Sequence, residues 1–304
     1  MPVHDDLGKR MKEFYEQVPK TRLVRRMPVA IRIDGKAFHT FTRGFVRPFD
    51  DVLIKTMQDT TKYLCENIQG CVLGYTQSDE ITLILVDYKT LNTDAWFDYE
   101  VQKMCSIAAS MATMAFNRFF KQAMIDWWNR TVDELDITSP RDDAAFKEAD
   151  KLLDIYANAH NNGAMFDARC FNIPKEEVTN LIYWRQLDAT RNSIQMVGQA
   201  NFSHKELQGK SCNMIQDMLM TQKGINWNDF PTHKKRGTCV VKRNESCTYA
   251  THDADGNVTT GHTQRPHWVI DTEIPIFKNT DRDYIDKLIN VGCDCQRMPI
   301  SYIN

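Results

Sequence analysis

Three carboxylates fall where short apolar runs give way to turns. Val29-Ala30-Ile31-Arg32-Ile33 alternates as a strand should and delivers Asp34-Gly35 at its end. Residues 71–86 read as a β-hairpin, two apolar strands around the polar turn Gln77-Ser78-Asp79-Glu80. Acids at two strand ends suggest a metal site. Two bare carboxylates about 4 Å apart repel by roughly 4 kcal/mol at an effective dielectric of about 20, so one protonates or a cation sits between them. Hard oxygen ligands on a partly solvated rim favour Mg²⁺. The expected ligands are Asp34, Asp79 and the carbonyl of Gly35, whose missing side chain permits close approach. Glu80 is a third candidate catalytic acid, although a strand that begins there turns it away from Asp79. The plain alternative is that Asp34-Gly35 is only a turn and Asp79 only a hairpin acid.

Positioning these acids takes a particular order of elements. Leu53, Met57, Leu64 and Ile68 keep helical spacing over 50–69, so the order is strand, helix, strand, strand, the first part of a split βαβ unit. In that topology the third strand slots between the first two and brings Asp34 and Asp79 to one sheet edge. A helix over 97–128 follows, with Met104, Ala108, Met111, Ala115 and Phe119 on a stripe that reads as core. A fourth strand at 165–171 completes β-α-β-β-α-β. The expected fold is therefore α+β: a ferredoxin-like antiparallel sheet with helices on one face, plus a mixed α/β C-terminal region. The expected domains are 1–135, and 136–304 completing the sheet. A charged helix is expected over 6–17, ended by Pro19, and another starting after Pro174 that carries Trp184-Arg185-Gln186. Residues 202–220 read as helical, and 238–277 as β with a turn at 253–257. Residues 131–162 are charged and helix-prone, broken at Ser139-Pro140, and carry no functional signal.

Five motifs in one order resemble the tRNA-histidine guanylyltransferase family of 3′-to-5′ RNA polymerases. They are Ile33-Asp34-Gly35-Lys36-Ala37-Phe38-His39-Thr40-Phe41, Arg47-Pro48-Phe49-Asp50, Tyr75-Thr76-Gln77-Ser78-Asp79-Glu80, Phe166-Asp167-Ala168-Arg169 and Trp184-Arg185-Gln186-Leu187-Asp188. The resemblance covers about 5–240. It implies a polymerase-like palm with two Mg²⁺, ATP and GTP or another nucleoside triphosphate as substrates, tRNA as partner, and a homotetramer. ATP adenylylates a 5′-monophosphorylated tRNA, and the 3′-OH of a nucleoside triphosphate then displaces AMP; a 5′-triphosphate end bypasses the first step. The resemblance assigns Lys36, Ala37, Phe38, His39, Arg47, Asp50, Ser78 and Arg169 to nucleotide and phosphate binding. It assigns Arg185, Asp188 and Asn192 to the tRNA 5′ end or a second nucleotide, and Lys210 is placed with them.

Two positions depart from the family pattern. Arg47 replaces the usual lysine, exchanging a point charge for a planar fork. Thr190-Arg191-Asn192-Ser193 stands where the eukaryotic-type enzymes carry His-Ile-Asn-Asn. The second departure implies the bacterial or phage-type subgroup, which repairs 5′-truncated tRNAs using the opposite strand as template. The alternatives are single-guanosine addition to tRNA-His, a nucleotidyl cyclase on the same palm, or a non-catalytic tRNA-binding protein.

The totals narrow the class. A net charge of −2 excludes indiscriminate coating of nucleic acid, so RNA contact is local. Basic candidates are 20–26 and His233-Lys234-Lys235-Arg236, each also readable as a solvated face. No apolar run is long enough to cross a bilayer, and residues 1–6 lack a signal-peptide pattern. Nine cysteines without a compact framework fit reduced thiols and a cytoplasmic protein. Cys293 and Cys295, with Cys239, Cys247, His252, His262 and His267, form a weaker zinc candidate. Gly209-Lys210-Ser211 mimics the end of a phosphate-binding loop, but His204 stands where that loop needs glycine, so it reads as a helix end.

Overall fold

Alternating apolar runs assemble into one six-stranded antiparallel sheet. The computed structural model describes residues 6–135, 140–252 and 258–290. Its strands are β1 (Val29–Gly35), β2 (Cys71–Gln77), β3 (Glu80–Leu85), β4 (Phe166–Asn172), β5 (Thr238–His252) and β6 (Val258–Asp271), in the order β4-β1-β3-β2-β5-β6. β3 lies between β1 and β2, as the split βαβ reading requires, and β4 completes the palm against β1. The C-terminal chain then adds β5 beside β2 and β6 beside β5. The turn expected at 253–257 lies outside the described residues; the strands flanking it pair His252 with Val258.

The helices in chain order are α1 (Asp6–Met11), α2 (Phe38–Phe41), α3 (Asp51–Asn67), α4 (Val101–Glu134), α5 (Pro140–Asn162), α6 (Lys175–Asn201), α7 (His204–Leu207), α8 (Cys212–Lys223), α9 (Thr232–Arg236) and α10 (Asp283–Ile289). α1 runs on as a π-helical turn over Lys12–Glu16. The helix expected over 202–220 is two, because Gly209 turns the chain at φ +74° and Ser211 caps α8.

Strand alternation divides the core. Ile31, Ile33, Ile81, Leu83 and Leu85 point to one face and pack against Met57 and Leu64 of α3 and Met104, Ala108, Ala112 and Phe116 of α4. Alanines on α4 let it lie close to the sheet, and each fully buried Leu or Phe contributes about 1.5–3 kcal/mol. Thr56, Thr60 and Thr61 of α3 are buried too, each hydroxyl donating to the carbonyl one turn back at 2.7 Å. The palm's two helices thus share one face, as expected. The C-terminal region closes the other face: Ala30, Leu73, Tyr75, Ile84 and Val86 meet Val178 and Ile182 of α6 and Ile285 and Ile289 of α10.

Candidate active site

Register decides which acids meet. Asp34, near the end of β1, lies opposite Glu80 of β3 and Asp167 of β4, so three carboxylates form a row across the sheet on the α6 side. Two residues back, Arg32 lies opposite Arg169. Asp79 sits in the β2–β3 turn, where Ser78 adopts a left-handed φ of 50°. The Gly35 N–H donates to the Asp79 carbonyl at 3.1 Å, tying the end of β1 to that turn. A Cβ at Gly35 would lie 2.2–2.8 Å from the Phe38 ring, so close packing there excludes any side chain.

Compensation within this group is uneven. Glu80 is held by Arg185 Nη2 at 2.5 Å, Gln77 Nε2 at 3.0 Å and Arg32 Nη2 at 3.4 Å. Asp167 is held by Arg169 Nη2 at 3.0 Å. Asp34, by contrast, makes no side-chain hydrogen bond or ion pair among the described residues. Asp79 accepts the Ser78 hydroxyl, at 3.0 Å, and has no ion pair among the described residues. Burial, then Glu80 and Asp167, push the Asp34 carboxyl above its ordinary range, against the pull of Arg169 and Arg32. Burial likewise raises Asp79, with Asp34 and Glu80 adding to it and hydrogen bonds from the Ser78 hydroxyl and from its own backbone N–H opposing. Uncompensated negative charge is concentrated at Asp34 and Asp79, where a cation relieves it.

Asp79 and Ser78 line a cleft of about 680 Å³ with Gly35, His39, Arg43 and Arg47, closed on the α6 side by Met196 and Gln199. The side chains of His39 and Arg47 are exposed and make no hydrogen bond or ion pair among the described residues. Ala37 also borders this cleft, in a left-handed conformation with φ 53°. No three Asp, Glu, His or Cys side chains gather around one point among the described residues. Asp34, Asp79 and the Gly35 carbonyl could offer a magnesium ion two carboxylates and a backbone oxygen, with water and phosphate completing its shell.

Other sequence candidates are placed differently. Phe38 is 5% exposed and packs on Phe41, Phe116 and Phe166, so its side chain belongs to the core even though the residue borders the cleft. Asp50 is a structural staple: its carboxylate accepts from Leu53 N at 2.9 Å, Val46 N at 3.0 Å and the Tyr156 hydroxyl at 2.6 Å. That last bond gives α5 a purpose invisible in sequence, since α5 fixes the cleft-lining loop. Arg185 is 4% exposed, shared between Glu80 and Asp188 (2.7 Å) and stacked on Trp184, so it anchors acids beneath the surface. Asp188 also binds Arg191 and receives Asn192 Nδ2 at 3.5 Å. Lys36 lines a neighbouring cavity instead of the Asp79 cleft. Lys210 lies in the turn between α7 and α8 and lines neither of these.

Residues the sequence reading did not single out are Arg43, Met196 and Gln199 in the cleft, and Arg32 and Asp167 beside Asp34. Asp167 stood inside a quoted motif; only the β1–β4 register puts it beside Asp34. Of the basic candidates, 20–26 is largely spent on acids, with Arg25 on Asp87 and Asp98 and Arg22 on Asp98. His233, Lys234, Lys235 and Arg236 border a small pocket of about 90 Å³ shared with Ser78 and Asn192. For the zinc candidate, Cys293 and Cys295 lie outside the described residues, Cys239 is buried in the core, and Cys247 sits 3.3 Å from His267. Among the described residues no helix is long and apolar enough to cross a membrane.

Comparison with known proteins agrees with this fold. The family model described as tRNAHis guanylyltransferase matches residues 8–174. An uncharacterized protein of Acanthamoeba polyphaga mimivirus is 27% identical over 79% of this chain and 78% of its own length. The tRNA(His) guanylyltransferase of Saccharomyces cerevisiae is 25% identical over 71% of this chain and 83% of its own. Among solved structures, a bacterial tRNA(His) guanylyltransferase-like protein in complex with ATP superposes with a TM-score of 0.71 at 38% identity, covering 94% of this chain and 100% of that one. The corresponding complex with GTP gives 0.66 at 35% identity and the same coverage. With the palm sheet, the acid pair and the cleft in place, the match over more than half the sequence leads to one conclusion: the chain belongs to the tRNA(His) guanylyltransferase family of nucleotidyltransferases.

Proposed function

We propose that this tRNA 5′-nucleotidyltransferase is a Mg²⁺-dependent, template-directed polymerase that rebuilds the 5′ ends of truncated tRNAs in the 3′-to-5′ direction. The observation that carries the reading is the pair Asp34 and Asp79, neither with a cation partner among the described residues, with Asp79 and the neighbouring Gly35 lining a cleft of about 680 Å³. Asp34, Asp79 and the Gly35 carbonyl would hold magnesium; when bound, the ions supply charge against phosphate oxygens and acidify the attacking hydroxyl. His39, Arg47 and Ser78 line the cleft and bind the triphosphate. Arg185 and Gln77 keep Glu80, and with it the start of β3, in place.

In the first step a 5′-phosphate oxygen of the RNA attacks the α-phosphate of ATP and releases pyrophosphate. In the second, the 3′-OH of the incoming nucleoside triphosphate attacks that RNA phosphate, forming the phosphodiester and releasing AMP. The complexes of the bacterial guanylyltransferase-like protein with ATP and GTP support both nucleotides as substrates. Repair, as opposed to addition of one guanosine, is supported by Thr190-Arg191-Asn192-Ser193. Here Arg191 and Asn192 are turned onto Asp188. Base choice then falls to pairing with the opposite strand.

The test incubates the chain with ATP, each nucleoside triphosphate, Mg²⁺ and two labelled RNAs: a tRNA lacking 5′ nucleotides and an intact tRNA-His. Extension of the truncated RNA by the complementary base is expected. A single guanosine on intact tRNA-His, with no extension of the truncated RNA, overturns the repair reading; cyclic nucleotide without RNA product overturns transfer altogether.

A further inference from the structure

Beside the Asp79 cleft lies a second cavity of about 420 Å³, sharing Ala37 and Arg43 with it and walled on the other side by α5. Its lining has three kinds of chemistry. Lys36 and Arg43 bring two cations with no ion-pair partner among the described residues, and no carboxylate lines the cavity. Asn158 and Asn162, one helical turn apart on α5, are exposed, and their side-chain amides make no hydrogen bond among the described residues. Phe41 and Met165 supply apolar surface, Met165 being 58% exposed.

Each part suits a different portion of one kind of ligand. Unpaired cations hold phosphate. Amide side chains match the donor and acceptor edge of a nucleobase, as Asn does with adenine. A flexible methionine and an aromatic surface accommodate a base's flat face. The volume lies within the range of about 300–1,000 Å³ usual for small-molecule sites. Between the two cavities stands Ala37, a non-glycine residue in the left-handed region, a conformation that costs energy and concentrates at functional positions.

We infer that this cavity holds one nucleoside 5′-phosphate unit, with its phosphate toward Lys36 and Arg43 and its base against Asn158 and Asn162. The unit comes from a mononucleotide or from the 5′-terminal residue of the RNA. The inference rests on the transfer reading above for the need of a second nucleotide site: that reaction brings together ATP, the incoming triphosphate and the RNA end.

The experiment measures equilibrium binding of ATP, GTP and a 5′-phosphorylated tRNA transcript to the full chain and to the variant Asn158→Ala/Asn162→Ala. Both asparagines are exposed, so an unchanged melting curve is expected. Loss of the amide contacts weakens binding of at least one probe by about tenfold. A loss confined to ATP or GTP assigns the cavity to the mononucleotide, and one confined to the transcript assigns it to the RNA end; Lys36→Ala weakens the same probe. Three affinities unchanged within about twofold, or a uniform loss accompanied by a lowered melting temperature, overturn the inference. The two readings fail separately. A chain that binds with this dependence but transfers nothing loses the transfer reading and keeps the cavity. One that transfers with KM values indifferent to the double variant loses the cavity and keeps the transfer.

Discussion

Asp50 separates a structural role from a ligand role. Its carboxylate is 5% exposed and accepts three bonds, from Leu53 N, Val46 N and the Tyr156 hydroxyl. Asp50→Ala removes the N-cap of α3, worth about 1 kcal/mol. It also strands the Val46 N–H and the Tyr156 hydroxyl, each at about 1–3 kcal/mol when left without an acceptor. Tyr156 is 1% exposed, so water does not readily replace the carboxylate there. The expected loss is about 3–7 kcal/mol, read from urea denaturation of wild type and variant. Asp50→Asn keeps an acceptor oxygen, and the tyrosine hydroxyl can rotate to accept from the new amide, so it costs about 1–2 kcal/mol. Tyr156→Phe closes a double-mutant cycle that isolates the Asp50–Tyr156 bond. Because Val46 lines the Asp79 cleft, the loosened loop also raises KM for the nucleoside triphosphate. A loss below about 1 kcal/mol for Asp50→Ala, with nucleotide affinity abolished, refutes the staple argument and restores the ligand role implied by the family resemblance.

Three further outcomes test the acid pair and its supports. Asp34 and Asp79 have folded-state pKa values above the ordinary aspartate value of about 3.9, so the metal-free chain binds protons more tightly folded than unfolded. Their contribution to stability is present below the unfolded value and lost as pH rises through the raised ones. In chelator the melting temperature is expected to fall across that window; Asp34→Asn or Asp79→Asn flattens the fall, abolishes transfer and removes the stabilisation that Mg²⁺ gives the wild type. A steep, unaltered fall in both variants contradicts the assignment. Gly35→Ala forces a Cβ against the Phe38 ring and is expected to cost about 1–3 kcal/mol by overpacking, with transfer strongly reduced; a crystal structure with Phe38 unmoved and full activity argues otherwise. Arg185→Met leaves Glu80 with Gln77 and the longer Arg32 contact and Asp188 with Arg191, costing about 3 kcal/mol; Arg185→Lys recovers part of that, because a single nitrogen, Nη2, makes both carboxylate contacts and one ammonium can bridge them. No recovery by lysine in thermal melts contradicts that geometry.

Much of this was legible before any coordinates, and for physical reasons. Alternation in 29–33, helical spacing of Leu53, Met57 and Leu64, and a polar hairpin turn are local properties, so the strand, helix and hairpin emerged where their residues required. Placing β3 between β1 and β2 followed from the split βαβ topology alone. Side-chain direction was harder to read. Phe38 and His39 are neighbours in one motif, yet one packs against α4 and the other opens to the cleft. Asp50 and Arg185 looked like surface contacts for nucleotide and RNA, but each is consumed by partners more than a hundred residues away, Tyr156 and Glu80.

What the amino-acid order determined by itself is the palm and its chemistry: acids at strand ends, a glycine between them and the core, cations nearby and a family pattern linking them. What only tertiary structure decided is which charges remain available. Cross-strand register and the docking of α6 neutralise Glu80 with Arg32 and Arg185, Asp167 is paired along its own strand by Arg169, and among the described residues Asp34 and Asp79 are left without a cation in contact. The reason is distance. A hydrogen bond or ion pair acts over a few ångströms, and sequence separation says nothing about those until the strands are paired and the helices packed.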